Sequence, residues 1–389
     1  MSVTAPKGFV AAGGSAGIKA GGVPDVAVVA TADAGAVPAA GVFTSNLAAA
    51  APVQVSRAHL HSTMGLAAGV ILTSGNANAA TGTPGYDAAA RLCVGVAKGV
   101  GCETQEILVC QTGLIGIPFP IEAVEPHLNG IVSALGGGAD AGAAAARAIM
   151  TTDTVPKEVL IRGDGFSVGA MAKGAAMLAP NMATMLALCT TDAEVDPATL
   201  HTALQAAVDA SFNVMTVDGC TSTNDTVLVL ASGAGVPVSE APLTAALTEA
   251  CTSLAEQMVA DAEGATKVAH VRVTGAESDG AAHRAARKVA DSMLVQCSLN
   301  GEDPYWGRVV SELGSAGVAF DIDRVSVAYG GVVVCARGVA AAHDTAAVAA
   351  HMAGRHVEIL CDLGLGSGSG AVLGTDLGYG YIDENRTTS

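Results

Sequence analysis

Residues 171–195, MAKGAAMLAPNMATMLALCTTDAEV, form an otherwise apolar stretch that contains Lys173 and Thr184. A threonine hydroxyl is a weak nucleophile, and its own α-amine becomes an adjacent base if the bond between Ala183 and Thr184 is cut. The segment therefore suggests a chain that cleaves itself and uses Thr184 as its nucleophile. Taken alone, however, an Ala-Thr pair is more typical of a hydrogen-bonded threonine within a strand.

Short apolar runs before this segment predict strands, and longer alanine-rich stretches predict helices. Residues 26–31 and 69–72 have the pattern of strands. Residues 86–100 and 140–150 have the composition and length of helices. Because the two kinds of element alternate, we expect each helix to pack one face on a sheet.

The same alternation continues after the segment. Asp196 and Pro197 begin a predicted helix as its cap and first-turn residue, and a second helix is predicted over residues 241–264. Three further strand patterns follow, at residues 267–275, 324–338 and 356–364. The glycine cluster GLGSGSG at 364–370 does not open a helix and precedes another strand-like pattern, so it predicts a tight hairpin turn and not a phosphate-binding loop. The whole order predicts a layered α/β protein.

Charge and composition exclude several classes of protein. The chain has 36 acidic and 19 basic residues, and a formal charge of −17 repels nucleic-acid phosphates. We expect no transmembrane helix, because polar residues interrupt every apolar run. The first residues, MSVTAPKGFVAAGG, lack the apolar block of a secretory signal, so we expect a cytoplasmic protein. Nine cysteines without a C-x-x-C pair predict buried reduced thiols, with neither a zinc site nor disulfides.

Nine short segments point to one family. They are GIKAGG (17–22), SGNANA (74–79), QTGLIG (111–116), AIMTTDTVPK (148–157), MAKGAAMLAPNMATML (171–186), STNDT (222–226), DAEGATK (261–267), DPYWGRV (303–309) and YIDEN (381–385). By these segments and their order, the chain resembles the ornithine acetyltransferases of arginine biosynthesis along essentially its whole length. The resemblance implies a self-processing α-β-β-α sandwich with a smaller C-terminal α/β portion. It also implies cleavage between Ala183 and Thr184 into an α chain, 1–183, and a β chain, 184–389.

The resemblance assigns catalytic roles to three residues. Thr184 is the implied nucleophile, and Thr112 and Gly113 are the implied oxyanion hole. Acyl transfer places negative charge on the carbonyl oxygen, which preorganised donors stabilise, and a glycine lets a backbone N–H approach the substrate closely. From the residues alone, a plain turn at 112–113 remains the alternative.

Substrate binding is implied for Thr184 and for five further residues. Lys173 corresponds to a lysine that holds the substrate carboxylate; a solvated surface lysine is the alternative interpretation. Glu263 corresponds to the residue that receives the substrate amino group. The remaining implied contacts are Thr151, Asn385 and Ser389.

The chain departs from the family pattern in two places. Residues 45–53, SNLAAAAPV, replace a stretch that is usually basic in the family. Ser389 follows Asn385 by four positions, whereas the family places a Ser or Thr five positions after this asparagine.

The resemblance implies a ping-pong transfer of acetyl from N2-acetylornithine to glutamate through an acetyl-threonine ester. No metal or redox cofactor is expected, acetyl-CoA is left open as a second acetyl donor, and the cleaved heterodimers are expected to pair into a tetramer. Three alternatives remain open from the sequence: an aminopeptidase or amidase with the same self-cleavage, a catalytically silent relative, and a paralogue with a modified amino-acid substrate in secondary metabolism.

Overall fold

The computed structural model describes residues 2–178 and 185–386. They form two compact units: the first comprises the chain up to Asn213 together with Cys220–Met258, and the second comprises Val214–Gly219 and the chain from Val259 onward. Ala183, Thr184 and Ser389 lie outside the described residues. The cleavage into residues 1–183 and 184–389 therefore stays a prediction.

The first unit contains two sheets. Their strands are β1 Phe9–Gly14, β2 Val26–Thr31, β3 Val37–Phe43, β4 Leu66–Ala67, β5 Gly69–Asn76, β6 Ile107–Leu114, β7 Lys157–Arg162, β8 Ser167–Lys173, β9 Leu186–Thr191 and β10 Thr226–Ala231. The first sheet has the order β1-β2-β5-β6, and the second has the order β4-β3-β10-β9-β8-β7. The helices of this part of the chain are α1 Ala51–Ser62, α2 Gly82–Val100, α3 Ile121–Ser133, α4 Ala139–Ala148, α5 Pro197–Ala210 and α6 Glu240–Ala260.

Side chains of the first sheet enter two separate cores, because successive residues of a strand face opposite sides of the sheet. Val28 and Ile71 belong to a core that also contains Leu92 of α2. Their neighbours Val29 and Leu72 belong to a different core, formed with the second sheet. Both faces of the first sheet are therefore buried, which explains the continuous apolar runs in its strands.

Helices also cover the outer face of the second sheet. Leu188 of β9 belongs to the core between the sheets, so its neighbour Cys189 faces outward, where it contacts Cys251 of α6. Helix α5 packs against β3 and β10 of the same sheet. The unit consists of helices, sheet, sheet and helices in that order, which confirms the predicted α-β-β-α sandwich.

The second unit is the predicted smaller C-terminal α/β portion. Its strands are β11 Val268–Ala276, β12 Ser326–Tyr329, β13 Val332–Ala336, β14 Val339–Ala340, β15 His356–Asp362 and β16 Gly368–Thr375. They form one sheet in the order β14-β13-β12-β15-β11-β16. Its helices are α7 Asp279–Ala290, α8 Met293–Asn300, α9 Trp306–Gly314, α10 Thr345–Ala353 and α11 Tyr379–Glu384.

The glycine cluster 364–370 is not the predicted hairpin turn. It connects β15 to β16, and β11 lies between these two strands, so the connection crosses a neighbouring strand. The glycines serve packing instead, since a Cβ on Gly370 would lie 2.5 Å from the backbone nitrogen of His283 in α7. The strand-like pattern after the cluster holds only to Thr375, and residues 379–384 form α11.

Local signals elsewhere predict the elements well. Asp196 caps α5, and its side chain accepts the N–H groups of Ala198 and Thr199, both at 3.0 Å. All nine cysteines are free thiols, as predicted, and six of them are buried; Cys220 and Cys297 are exposed and Cys102 is intermediate.

Candidate active site

Thr112 and Gly113 lie at the end of β6, where this strand meets the irregular end of β5. Thr112 is buried. Gly113 has a φ of +131°, and a Cβ there would overlap the carbonyl carbon of Gly75 and lie 2.5 Å from the nitrogen of Asn76. The position requires glycine because of both its dihedral angle and this close backbone approach. The pair lies in a strand, so the plain turn considered from the sequence is wrong.

Lys173 lies at the end of β8 and is only 3% exposed, so it is not a surface lysine. Its Nζ is 3.4 Å from Oγ1 of Thr112. The structure thus brings together two of the predicted site residues, which are 61 positions apart in the chain. A buried cation at this point can attract the carboxylate of a substrate.

Asp153 links Thr151 to Lys157 and to Gly174, the residue after Lys173. One carboxylate oxygen accepts Nζ of Lys157 at 2.6 Å and the N–H of Gly174 at 2.8 Å, and the other accepts the N–H of Thr151 at 2.9 Å. Burial alone would raise the pKa of Asp153, but the charges of Lys173 and Lys157 and these hydrogen bonds lower it to about 2. The ionised aspartate therefore holds Thr151 next to the end of β8.

Asn224 joins three of the family-like segments. Its side-chain nitrogen donates to the carbonyl of Ala77 at 2.6 Å and to the carbonyl of Gln111 at 2.9 Å. Asn224 belongs to STNDT, Ala77 to SGNANA and Gln111 to QTGLIG. These segments, distant in the chain, therefore meet at Gln111, the residue before Thr112.

Lys19 is a further cation in this region. Its Nζ donates to the carbonyls of Met150 at 2.6 Å and Pro24 at 3.0 Å. Burial lowers the pKa of Lys19, the charges of Asp25 and Asp153 act against this change, and the positive charge of Lys173 adds to it. The charges of Lys19 and Lys173 therefore influence each other, and Lys19 contacts Met150, two residues after the end of α4.

Asp225 is a buried carboxyl beside the segment that contains Thr184. Its Oδ1 accepts the N–H of Met185 at 2.9 Å. Burial raises the pKa of Asp225 well above its usual range, while the Met185 N–H and the charge of Lys173 oppose this rise. Sequence analysis assigned no role to Asp153, Asp225 or Lys19, although each lies in a motif or loop already singled out. The available signal was a charged residue within a family-like segment.

Glu263 and Asn385 contact each other in the second unit. Nδ2 of Asn385 donates to Oε2 of Glu263 at 2.8 Å and to the carbonyl of Tyr381 at 2.9 Å. Gly264 allows this approach, because its φ is +67° and a Cβ would overlap the Tyr381 nitrogen. Asn385 is exposed and Glu263 is half-buried, so both side chains can meet a ligand.

Residues 45–53, which lack the basic side chains usual in the family, contribute to the wall of a cavity. Residues 48–51 line a cavity of about 480 Å³ with the first turn of α2, and Gln54, Tyr86 and Thr223 complete its wall. The lining is small and uncharged. Within residues 2–178 and 185–386, no cluster of His, Cys, Asp and Glu is arranged to hold a metal ion, and no helix is long and apolar enough to cross a membrane.

Comparison with known proteins identifies the family. A sequence model of the ArgJ family matches residues 10–387. The arginine biosynthesis bifunctional protein ArgJ of Mycolicibacterium paratuberculosis is 47% identical over 396 residues, covering 100% of this chain and 96% of that protein. The protein of the same name from Thermobifida fusca is 45% identical over 391 residues, covering 100% of both chains. A chain of the crystal structure of ornithine acetyltransferase with ornithine from Mycobacterium tuberculosis is 43% identical, with a TM-score of 0.44, and the match covers 46% of this chain and 94% of that chain. This chain belongs to the ArgJ family.

Proposed function

We propose that this ArgJ-family acyltransferase of arginine biosynthesis transfers acetyl from N2-acetyl-L-ornithine to L-glutamate through an ester on Thr184. The family match over residues 10–387 and the names of the curated relatives support the pathway and the reaction class. Self-cleavage after Ala183 supplies the α-amine that serves as base for the Thr184 hydroxyl.

The geometry around Thr112 is the observation that carries this proposal. The buried ammonium of Lys173 lies 3.4 Å from the Thr112 hydroxyl, and Gly113 follows with a φ of +131°. Negative charge develops on the carbonyl oxygen during acyl transfer, and donors fixed before the reaction stabilise it best. The Thr112 hydroxyl and the Gly113 N–H serve as these donors in the proposal, and the nearby cation adds to the favourable field.

Each half-reaction uses the same anchors. The Thr184 hydroxyl attacks the acetyl carbon, ornithine leaves with a proton from the α-amine, and glutamate then takes the acetyl group from the ester. Lys173 and Thr151 bind the amino-acid end of both substrates, and Glu263, Asn385 and Ser389 complete the proposed contacts. A covalent ester splits a difficult amide exchange into two easier steps, provided that water is excluded.

The proposal extends to cofactors, assembly and location. The reaction uses no metal or redox cofactor, because the nucleophile, base and oxyanion donors are all protein groups. The two chains form a heterodimer in the cytoplasm and pair further into a heterotetramer. Residues 45–53 are uncharged, whereas the family usually has a basic stretch there. The activity assay therefore tests acetyl-CoA as a second acetyl donor in addition to acetylornithine.

Intact-mass analysis of freshly expressed protein tests the cleavage. We expect the parent to give residues 1–183 and 184–389, and Thr184→Ala to give one uncut chain. Thr202→Ala is the control, because it removes an exposed hydroxyl on α5 and should cleave like the parent. A fully active, uncut parent chain would rule out the mechanism.

Steady-state kinetics test the acetyl transfer. With acetylornithine and glutamate as substrates, a covalent intermediate predicts parallel double-reciprocal lines and an acetyl group on Thr184 in the mass spectrum. Intersecting lines without this adduct would contradict the ester. Release of free acetate in excess glutamate would indicate a hydrolase instead.

A further inference from the structure

Asp376 is a buried aspartate to which the proposed reaction assigns no role. It directly follows β16 and is 5% exposed. One carboxylate oxygen, Oδ1, accepts the backbone N–H groups of Thr266 and Lys267, both at 2.8 Å. The other oxygen, Oδ2, accepts the Thr266 hydroxyl at 2.6 Å and the side-chain amide of Asn300 at 2.8 Å. Four donors from two other segments therefore converge on this one carboxylate.

The segments that Asp376 joins carry Glu263 and Asn385, two of the proposed substrate contacts. Thr266 lies three residues after Glu263, and three residues span at most about 11 Å. Asn385 is the C-terminal cap of α11, which begins three residues after Asp376. Nδ2 of Asn385 donates to Oε2 of Glu263 at 2.8 Å. This distance depends on how the two segments lie relative to each other.

Close packing leaves little freedom between these two segments. A Cβ on Gly264 would lie 2.3 Å from the carbonyl carbon of Gly380, so the two backbones are in direct contact. Asn300 reaches the same part of the chain, since a Cβ on Gly378, the residue before α11, would lie 2.5 Å from its Nδ2. The Asp376 carboxylate therefore links segments whose backbones are already too close to admit a methyl group.

Building on the substrate contacts proposed above, we infer that Asp376 is a positioning residue for the site that binds the amino group of the substrate. It holds Glu263 and Asn385 at the distance at which their side chains bind this group together. N2-acetylornithine has one free amino group, at the end of its side chain, and this group is a cation at neutral pH. Asp376 therefore acts through these two residues on the preference for a donor with a charged side chain.

The Asp376 carboxylate is suited to this role because it is ionised. Burial alone would raise its pKa, but the hydrogen bonds from Asn300, Thr266 and Lys267 lower it. An ionised carboxylate accepts at both oxygens, whereas an amide accepts at its oxygen and donates at its nitrogen. If the amide oxygen of Asp376→Asn still faces the two backbone N–H groups, its nitrogen lies against Nδ2 of Asn300. Two donors then face each other, which weakens the link.

Exchanging the two side chains tests the link without changing its charge. In the double variant Asp376→Asn with Asn300→Asp, the new amide donates to the new carboxylate, so the hydrogen bond is restored in the reverse direction. The Thr266 hydroxyl fits either arrangement, because a hydroxyl both donates and accepts. Asp344→Asn is the matched control, since Asp344 also accepts two successive backbone N–H groups, at the beginning of α10 and both at 3.0 Å.

The assay compares kcat/KM for two acetyl donors, N2-acetylornithine and N-acetylnorvaline, in which a hydrogen replaces the side-chain amino group. We expect Asp376→Asn and Glu263→Gln each to lower kcat/KM for acetylornithine by about tenfold or more, the value of one hydrogen bond to a charged group. With acetylnorvaline, both variants should match the parent. The exchange variant should regain the parental preference for acetylornithine, and Asp344→Asn should retain it.

The possible failures of this experiment separate the inference from the function on which it rests. An equal loss with both donors in Asp376→Asn would show a purely structural role and overturn the inference. Parental preference in Asp376→Asn, or lost preference in an exchange variant that circular dichroism shows to be folded, would overturn it while leaving the Glu263 contact intact. Parental preference in Glu263→Gln would refute that contact and the inference with it. A parent that transfers acetyl from neither donor would refute the proposed function itself.

Discussion

Gly113→Ala tests the proposed oxyanion hole most directly. The new methyl group would overlap the carbonyl carbon of Gly75 and lie 2.5 Å from the Asn76 nitrogen, so the backbone of β5 or β6 must shift. A misplacement of about 1 Å in a catalytic geometry costs about a hundredfold in rate. Loss of one oxyanion donor costs about 10²–10³ in kcat. We therefore expect kcat for acetyl transfer to fall by about two to three orders of magnitude.

Gly116→Ala is the matched control in the same QTGLIG segment. Gly116 also has a positive φ, of +83°, but a Cβ there meets no atom within 4 Å. Both variants carry the cost of a left-handed alanine, about 1–2 kcal/mol. Only Gly113→Ala adds the cost of overlap, about 1–3 kcal/mol for overpacking.

The assay is the rate of acetylglutamate formation from acetylornithine and glutamate, with the urea midpoint measured on the same samples. We expect Gly113→Ala to lose both activity and stability, and Gly116→Ala to lose a smaller amount of stability with kcat close to that of the parent. A Gly113→Ala enzyme with parental kcat would refute the assignment of the Gly113 N–H to the oxyanion hole.

Three further predictions follow from buried polar groups. Lys173→Met should raise KM for acetylornithine by about 30-fold or more, since the loss of a buried charged contact costs about 2–5 kcal/mol; an unchanged KM would contradict the anchor. Asp153→Asn should destabilise the fold by about 3–5 kcal/mol, because it removes the carboxylate that accepts the buried Lys157 ammonium at 2.6 Å. In the parent, the folded pKa of Asp153 is depressed to about 2, so its stabilisation is complete above pH ~4 and is lost as pH falls toward 2; acid denaturation of Asp153→Asn should lack this component. Asn224→Ala removes the donor to Ala77 and Gln111 and should lower the urea midpoint by the equivalent of about 2–4 kcal/mol while reducing kcat, whereas a stable variant with full kcat would show that these segments are held without it.

The elements that were predicted correctly have their signals close together in the chain. Asp196 and Pro197 specify the beginning of α5 within two residues, and the apolar run at 26–31 specifies a strand buried on both faces. The glycine cluster at 364–370 was misinterpreted because its constraint comes from α7, which packs against β16 and is remote in sequence. The pattern after Thr375 predicts a strand, whereas six residues there form α11.

The candidate site also combines local sequence signals with contacts between segments that are distant in the chain. Sequence motifs pointed to Thr112, Gly113, Thr151 and Lys173, and family resemblance supplied their proposed roles. The pairing of Lys173 with Thr112 spans 61 positions, and no local pattern contains it.

The amino-acid sequence by itself determined the family, the alternation of helices and strands, and the residue types that can carry acyl transfer, because each of these is written in local composition and motif order. Only the tertiary structure decided which charges are isolated from water and which partners they meet. Asp153 and Asp225 are the same residue type, yet the charges of two lysines keep one ionised and burial beside Met185 favours the acid form of the other. The physical reason is that a pKa depends on desolvation and on nearby charges, and both are set by segments that meet only after folding.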